Sequence, residues 1–292
     1  MAERKRILFV VNPISGGKRK TAFNKQVLEV LDLQKFNPTF QQTNHPNHAY
    51  ELGKLAIEEK YDAVVAVGGD GTINELGSAL VGSDIPLGII PEGSGNGLAL
   101  YLGIPMNEAA ALRRLNRFEA VEVDSGLIND RNFFNIAGIG FDASVSDRFA
   151  NENIRGPIGY LKSAINVLSN YKPCMYKLTI DGVQYEREAF MISVANSPQY
   201  GNNAYIAPQA SVNDGVLDVC IVHKFPLYTL PMMVFHLFNK SADQSEYVEI
   251  IPGREITIER EKDGAAHVDG EPFELGKKLD IRILPKSLRI IC

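Results

Sequence analysis

Ala63-Val64-Val65-Ala66-Val67-Gly68-Gly69-Asp70-Gly71-Thr72-Ile73-Asn74-Glu75 passes from a wholly apolar run to a glycine-rich turn and then to a helical pattern, carried on by Leu76 and Leu80. A short apolar run bounded by such a turn reads as a buried parallel strand. A strand that ends in glycines and feeds a helix N-terminus offers an anion its backbone N–H groups and the positive end of the helix dipole. The carboxylate inside the turn is the unusual part. Asp70 repels a bare phosphate, so the simplest reason to place it there is to hold a magnesium ion between protein and nucleotide. The stretch predicts an α/β nucleotide fold and phosphoryl transfer.

The same grammar recurs on either side. Ile7 to Val11 is an apolar strand that breaks at Asn12-Pro13-Ile14-Ser15-Gly16-Gly17, before a helical pattern with Phe23, Val27, Val30 and Leu31. Phe36 to Gln42 reads as a second strand and Ala49 to Lys60 as a helix with Leu52, Leu55 and Ala56 on one face. Ile85 to Ile90 is a fourth strand, ending in Pro91-Glu92-Gly93-Ser94-Gly95-Asn96-Gly97; helical segments start near Leu98 and run from about Asn107 to Leu115. Strands alternating with helices indicate a doubly wound sheet, whose ligands sit outside the carboxyl ends of the strands. Glycine loops after Val11, Val67 and Ile90 converge on that edge.

From about Ala120 the pattern changes to short β-like runs: Glu119 to Val123, Phe133 to Ile136, Met175 to Ile180, Ala189 to Val194, Val216 to Val222, Glu255 to Glu259 and Leu279 to Leu284. Asp181-Gly182 between two of them is a two-residue hairpin signal. One helical pattern, Ile158 to Leu168, interrupts the series. This is a second, mostly antiparallel domain, with no low-complexity linker before it.

At 292 residues, 45% hydrophobic and 22% charged, the chain has room for one large or two ordinary folded domains. A net charge of -5 and the lack of a basic stripe with interleaved aromatics argue against nucleic acid as a partner. Arg4-Lys5-Arg6 reads as solvated charge, whereas Lys18-Arg19-Lys20 follows a glycine turn and is better placed to face phosphate. Three widely spaced cysteines suggest neither a disulfide framework nor a zinc site, and the charged N-terminus is unlike a signal peptide; a cytoplasmic protein is expected. No apolar run reaches the ~20 residues that span a bilayer. The nearest, Phe225 to Phe238, contains Pro226, Pro231 and His236, and is either a buried helix or loop or a greasy lid touching a lipid surface. Walker A, dinucleotide-binding and protein-kinase motifs are absent.

Asn12-Pro13 with Ser15-Gly16, Gly68 to Glu75, and Gly93-Ser94-Gly95-Asn96 together resemble the diacylglycerol kinase catalytic domain family, which takes in bacterial lipid kinases and sphingosine and ceramide kinases. The resemblance continues through Asn135 to Ala143, Ala207-Pro208, Asp214-Gly215-Val216-Leu217-Asp218 and Asp269-Gly270-Glu271. It implies an α/β nucleotide domain (1–126, with a returning segment 284–292), a β-rich lipid-acceptor domain (127–283), and an active site in the cleft between them.

The resemblance also implies roles. ATP is expected at Asn12, Pro13, Ile14, Ser15, Gly16, Thr43, Gly68, Gly69, Asp70, Gly71, Thr72, Ile73, Asn74 and Ser94. Glu271 resembles the family's general base, which takes the proton of the lipid hydroxyl, and Asp70 and Asp124 resemble the acids that hold the catalytic Mg2+. Asp214, with the main-chain carbonyls of Ser211 and Val216, resembles a structural magnesium site. One departure is visible: Gly97 stands where bacterial diacylglycerol kinases usually have aspartate, as in the sphingosine and ceramide kinase branch. The expected activity is ATP- and magnesium-dependent phosphorylation of a diacylglycerol-like lipid or a sphingoid base, with transient membrane contact; a homodimer is compatible. The alternatives are an NAD kinase-like enzyme and a non-catalytic nucleotide or lipid sensor.

Overall fold

A computed structural model describes residues 4–15, 21–141 and 171–292. Gly16, the Lys18-Arg19-Lys20 cluster, Asp142-Ala143 and the expected helix at 158–168 lie outside the described residues. The chain divides into two compact units: Met1–Asp124 with Lys286–Cys292, and Ser125–Pro285.

The first unit opens with β1 (Lys5–Val11), α1 (Thr21–Val30), β2 (Phe36–Gln42), α2 (His48–Glu58), β3 (Ala63–Gly68), α3 (Asp70–Leu80), β4 (Leu87–Pro91), α4 (Gly97–Tyr101) and α5 (Glu108–Leu115). The four strands are parallel in the order β2-β1-β3-β4, with Ile7 beside Ala63 and Val64 beside Leu87. Every residue of β3 and β4 is buried, which is why both read as unbroken apolar runs. The ends of β1, β3 and β4 therefore lie side by side, and that edge carries the glycine loops. The C-terminal segment joins this sheet: Ile290 pairs in parallel with Leu87, and Gly82 N–H donates to Ser287 O at 2.7 Å.

β5 (Ala120–Ile128) leads into the second unit, which holds β6 (Arg131–Phe133), β7 (Ile136–Gly140), β8 (Cys174–Ile180), β9 (Val183–Ala189), β10 (Met191–Ala195), β11 (Gln199–Gly201), β12 (Ala204–Tyr205) and β13 (Leu217–Val222). A 3-10 turn at Leu227–Thr229 and α6 (Leu230–Phe238) precede β14 (Val248–Gly253), β15 (Glu255–Arg260), β16 (Gly264–Val268), β17 (Glu271–Leu275) and β18 (Lys278–Ile291). One antiparallel sheet runs β14-β13-β10-β7-β16-β17; in another, β15 lies between β8 and the start of β18, with β9 outside β8. Alternate residues of both, among them Leu178, Ile180, Ile192, Val194, Val219, Ile221, Ile256 and Ile258, share one core. The intervening residues of the first sheet, such as Cys220 and Val222, face a smaller cluster with Ile206, Met233 and Leu237. The Asp181-Gly182 hairpin forms with positive φ at both residues, 47° and 84°, as a turn of the mirror-image type requires.

Three runs read as single strands are corrected. Phe133 to Ile136 is the end of β6 and the start of β7, because Phe134 and Asn135 donate their N–H groups to the Asp269 carboxylate instead of to a neighbouring strand. Ala189 to Val194 breaks at Phe190, whose N–H turns to Val222 O at 2.7 Å. Leu279 to Leu284 is only the first half of β18, which continues to Ile291 because its end finds β4. The buried reading of Phe225 to Phe238 also fails: α6 has no fully buried residue.

Candidate active site

The loop after β3 and the loop after β4 are tied together by one side chain. Asp70, the first residue of α3, accepts N–H groups from Asn96 at 2.8 Å and Gly97 at 3.0 Å. It thus caps the start of α4 as well as opening α3, a second role that the sequence did not reveal. Asn96 makes the turn possible. It sits in the left-handed region at φ 50° and closes its own loop, Oδ1 accepting from Gly93 N at 2.9 Å and Nδ2 donating to Gly93 O at 2.8 Å. The loops are so close that a Cβ on Gly93 would lie 2.6 Å from Gly69 Cα, and one on Gly95 2.8 Å from Asp70 Oδ2. Glycine is needed there for the loops to pack, whatever the ligand.

The loop after β1 joins them. Asn12 Nδ2 donates to Thr72 Oγ1 at 3.1 Å, Asn12 N–H to Val67 O at 2.9 Å, and Ile14 N–H to Asn12 Oδ1 at 3.1 Å. The Ser15 hydroxyl lies 3.0 Å from Asn12 O and 3.2 Å from Glu92 Oε2, and Thr43 N–H donates to Val11 O at 3.0 Å. Of the expected nucleotide residues, Ser15, Asp70 and Asn74 are half-buried, Pro13, Ile14 and Ser94 are exposed, and Thr72 and Ile73 are buried, with Ile73 N–H donating to Gly69 O at 3.1 Å. The first N–H groups of α3, at Asp70, Gly71 and Thr72, head the helix at this edge. Glu75, quoted within the same motif, serves the fold elsewhere. Its oxygens accept N–H groups from Asn47 at 2.9 Å and Ala49 at 3.0 Å, capping α2.

Asp124, the last residue of the first unit before the chain crosses, is buried in β5, and its Oδ1 accepts Lys286 N–H at 2.6 Å. Asp70 and Asp124 are both carboxylates that receive backbone N–H groups. Magnesium usually retains several waters and touches few carboxylates directly, so both acids fit an ion held through its hydration shell.

In the second unit Asp269-Gly270-Glu271 forms the turn between β16 and β17, with φ of 48° and 88° at Asp269 and Gly270. Asp269 accepts three N–H groups, from Phe134 at 3.0 Å, Asn135 at 2.8 Å and Ile136 at 3.1 Å. Glu271 follows this anchored turn as an exposed first residue of β17. Around Asp214, Val216 N–H donates to Asp214 Oδ1 at 3.1 Å and Ser211 Oγ to Asn213 Oδ1 at 2.7 Å. Nearby Asp218 has its carboxyl pushed up to about 6, first by burial and then by the charge of Asp214. A cation at Asp214 would relieve the second, electrostatic part of this shift. His45, His48 and Glu51 also bring ligand-type atoms within 4.8 Å of one another. There the rings stack at 4.6 Å, His48 Nδ1 accepts Asn44 N–H, and His45 Nε2 lies 3.7 Å from Glu51 Oε2.

Residues 6–128 match the diacylglycerol kinase catalytic domain, and residues 135–292 match the YegS C-terminal NAD kinase beta sandwich-like domain. A protein of Klebsiella pneumoniae (strain 342) named "Probable lipid kinase YegS-like" is 31% identical over 80% of this chain and 79% of its own length. The chain belongs to the diacylglycerol kinase family. An uncharacterized Synechocystis protein is 30% identical over 96% of this chain and 69% of its own length. Two solved chains from Bacillus anthracis str. Sterne cover all of this chain at TM-scores of 0.79 and 0.75, with 98% of each matched, at 26% and 21% identity; the second is described as a diacylglycerol kinase. The family carries an α/β domain with a parallel sheet followed by a mostly antiparallel β domain, as here. Among the described residues no helix is long and apolar enough to cross a membrane.

Proposed function

We propose that this member of the diacylglycerol kinase family transfers the γ-phosphate of ATP, with Mg2+, to the hydroxyl of a diacylglycerol-like lipid or a sphingoid base. The observation that carries the reading is the Asp70 clasp. It holds two glycine loops together at the N-terminus of α3, beside the Asn12–Thr72 contact. Such an edge suits phosphate groups because its N–H groups and hydroxyls are fixed before the ligand arrives. Asn12, Ser15, Thr72, Ser94 and the backbone of Gly68 to Asn74 would bind and orient the nucleotide, together with Pro13, Ile14, Gly16 and Thr43. Asp70 and Asp124 would hold the metal, which supplies charge neutralisation on the transferring phosphate. Asp214, with the carbonyls of Ser211 and Val216, would hold a second, structural ion.

Glu271 would accept the proton of the acceptor hydroxyl. An alcohol is too weak an acid to ionise beforehand, so a positioned carboxylate must take the proton as the bond to phosphorus forms. The anchored Asp269 turn and the exposure of Glu271 support that role. The work would be done by a cytoplasmic protein that meets its lipid at a membrane surface. The likeness of the second domain to the NAD kinase sandwich makes NAD the acceptor to exclude.

The test is transfer of label from γ-labelled ATP, with and without magnesium, to diacylglycerol, sphingosine and ceramide, with NAD as the soluble control. A labelled lipid that requires magnesium and disappears in Glu271→Gln supports the proposal. Labelled NADP, or no labelled product with ATP bound, overturns it in favour of an NAD kinase or a sensor respectively.

A further inference from the structure

The element from Leu227 to Phe238 turns large apolar side chains to solvent. Leu227 is 62% exposed, Tyr228 82%, Met232 58%, Phe235 57% and Phe238 58%. The same helix is anchored from below, because Met233 and Leu237 pack against the cluster that contains Ile206 and Val222. A helix that is apolar all round belongs in an interior, yet α6 has only one side covered. Its outer side needs a partner.

We propose that this outer side of α6, with the preceding 3-10 turn, docks on an anionic lipid bilayer. The inference rests on the lipid-kinase reading above, since a lipid acceptor resides in a bilayer. Charge favours this occupant. From Phe225 to Phe238 there is no Asp, Glu, Lys or Arg, and Lys224 and Lys240 stand at the two ends. Lys240 Nζ lies over the Tyr205 ring at 4.6 Å, which fixes that cation beside the patch. Of the nearby acids, Asp243 follows Lys240 in the segment that closes the element, and Glu246 lines the cavity beside the helix with Tyr228 and Met232. Tyr, Phe and Met are the side chains that enter the boundary between headgroups and acyl chains, and flanking lysines suit anionic headgroups. The size also fits. A nine-residue helix with a handful of outward side chains falls far short of the ~20–30 residues per side of a stable protein interface. The patch is not flat. A cavity of about 500 Å³, lined by Tyr228, Met232, Met233, His236 and Tyr247 among others, opens beside the helix and is large enough for part of a ligand.

The experiment is flotation of the full chain with vesicles of phosphatidylglycerol and phosphatidylcholine, and with phosphatidylcholine alone, alongside light scattering for mass. The wild type should float with the anionic vesicles and lose affinity as salt rises. Met232→Glu with Phe235→Glu should weaken partitioning by about tenfold or more, and Lys224→Ser with Lys240→Ser by roughly fivefold per lysine on anionic vesicles only. All four positions are at the surface or edge of the fold, and an unchanged circular dichroism melt shows that the variants remain folded. Equal flotation of the wild type and the glutamate variant overturns the proposal, as does a wild type that never floats. A dimer that the glutamate pair dissociates, with no vesicle binding, overturns it in favour of a second copy. Flotation is read without turnover, so failure of the kinase reading would be seen separately, in the ATP assay.

Discussion

Asp70 and Asp269 are each followed by glycine, and each sends its carboxylate to backbone N–H groups of a distant segment. Asp70 holds two, at the start of α4; Asp269 holds three, at the start of β7. The first does so at the head of a helix where anions collect. The second serves the architecture of a turn, and the residue two positions on, Glu271, is exposed at the start of β17. In one unit the anchoring acid is also the proposed working acid. In the other the two roles are divided between residues two positions apart.

That contrast can be broken by mutation. Asp269→Ala removes three charge-assisted hydrogen bonds from the joint between β6 and β7. It should cost about 3–5 kcal/mol in a urea unfolding curve. If stability hardly changes, the anchoring role of Asp269 is wrong. Asp70→Ala should cost less, about 2–3 kcal/mol, by uncapping α4. It should also lower the proposed transfer rate by more than about a hundredfold. Activity and stability must therefore be measured together: a stable but inactive variant would assign Asp70 to the ligand alone, and an unstable but active one to the fold alone.

Asp218 sharpens the comparison from the opposite side, as an acid whose charge the fold disfavours. Burial, then Asp214, raise its carboxyl from the ordinary 3.8 to about 6. The folded state therefore binds this proton more tightly than the unfolded chain does. Its contribution is fully present below about pH 4 and is lost as pH rises through 6. Asp218→Asn should flatten that slope in melts taken between these pH values, and magnesium should flatten it too if the ion binds at Asp214. The smallest effect is expected at Glu75. Glu75→Ala removes the acceptor of two N–H groups at the start of α2 and should cost about 1 kcal/mol in the same urea curve, with little change in transfer.

The elements around the first three glycine loops were legible in sequence to within a few residues, because wholly buried parallel strands and their following helices have a strong local pattern. The second unit was read as β-rich and antiparallel, but its breaks were misplaced. A strand ends where its N–H groups are claimed elsewhere, and at Phe134 and Phe190 the claimants, Asp269 and Val222, are far away in sequence. The same distance hid the capping roles of Asp70, Glu75 and Asp269. Each was visible as an acid in or after a glycine turn, but not by the amides that it holds. Asn96 carried a signal that could have been used: an asparagine between glycines is a common bearer of the left-handed conformation.

Local periodicity and short motifs were enough to establish the α/β edge with its three glycine loops, the family, and the change of architecture after Ala120. Three other features emerged only once the chain was folded. Gly93 and Gly95 are required by the packing of one loop on another, β18 continues far enough to pair with β4, and α6 leaves one side uncovered. Those facts depend on which distant atoms meet, and neither composition nor spacing carries that information.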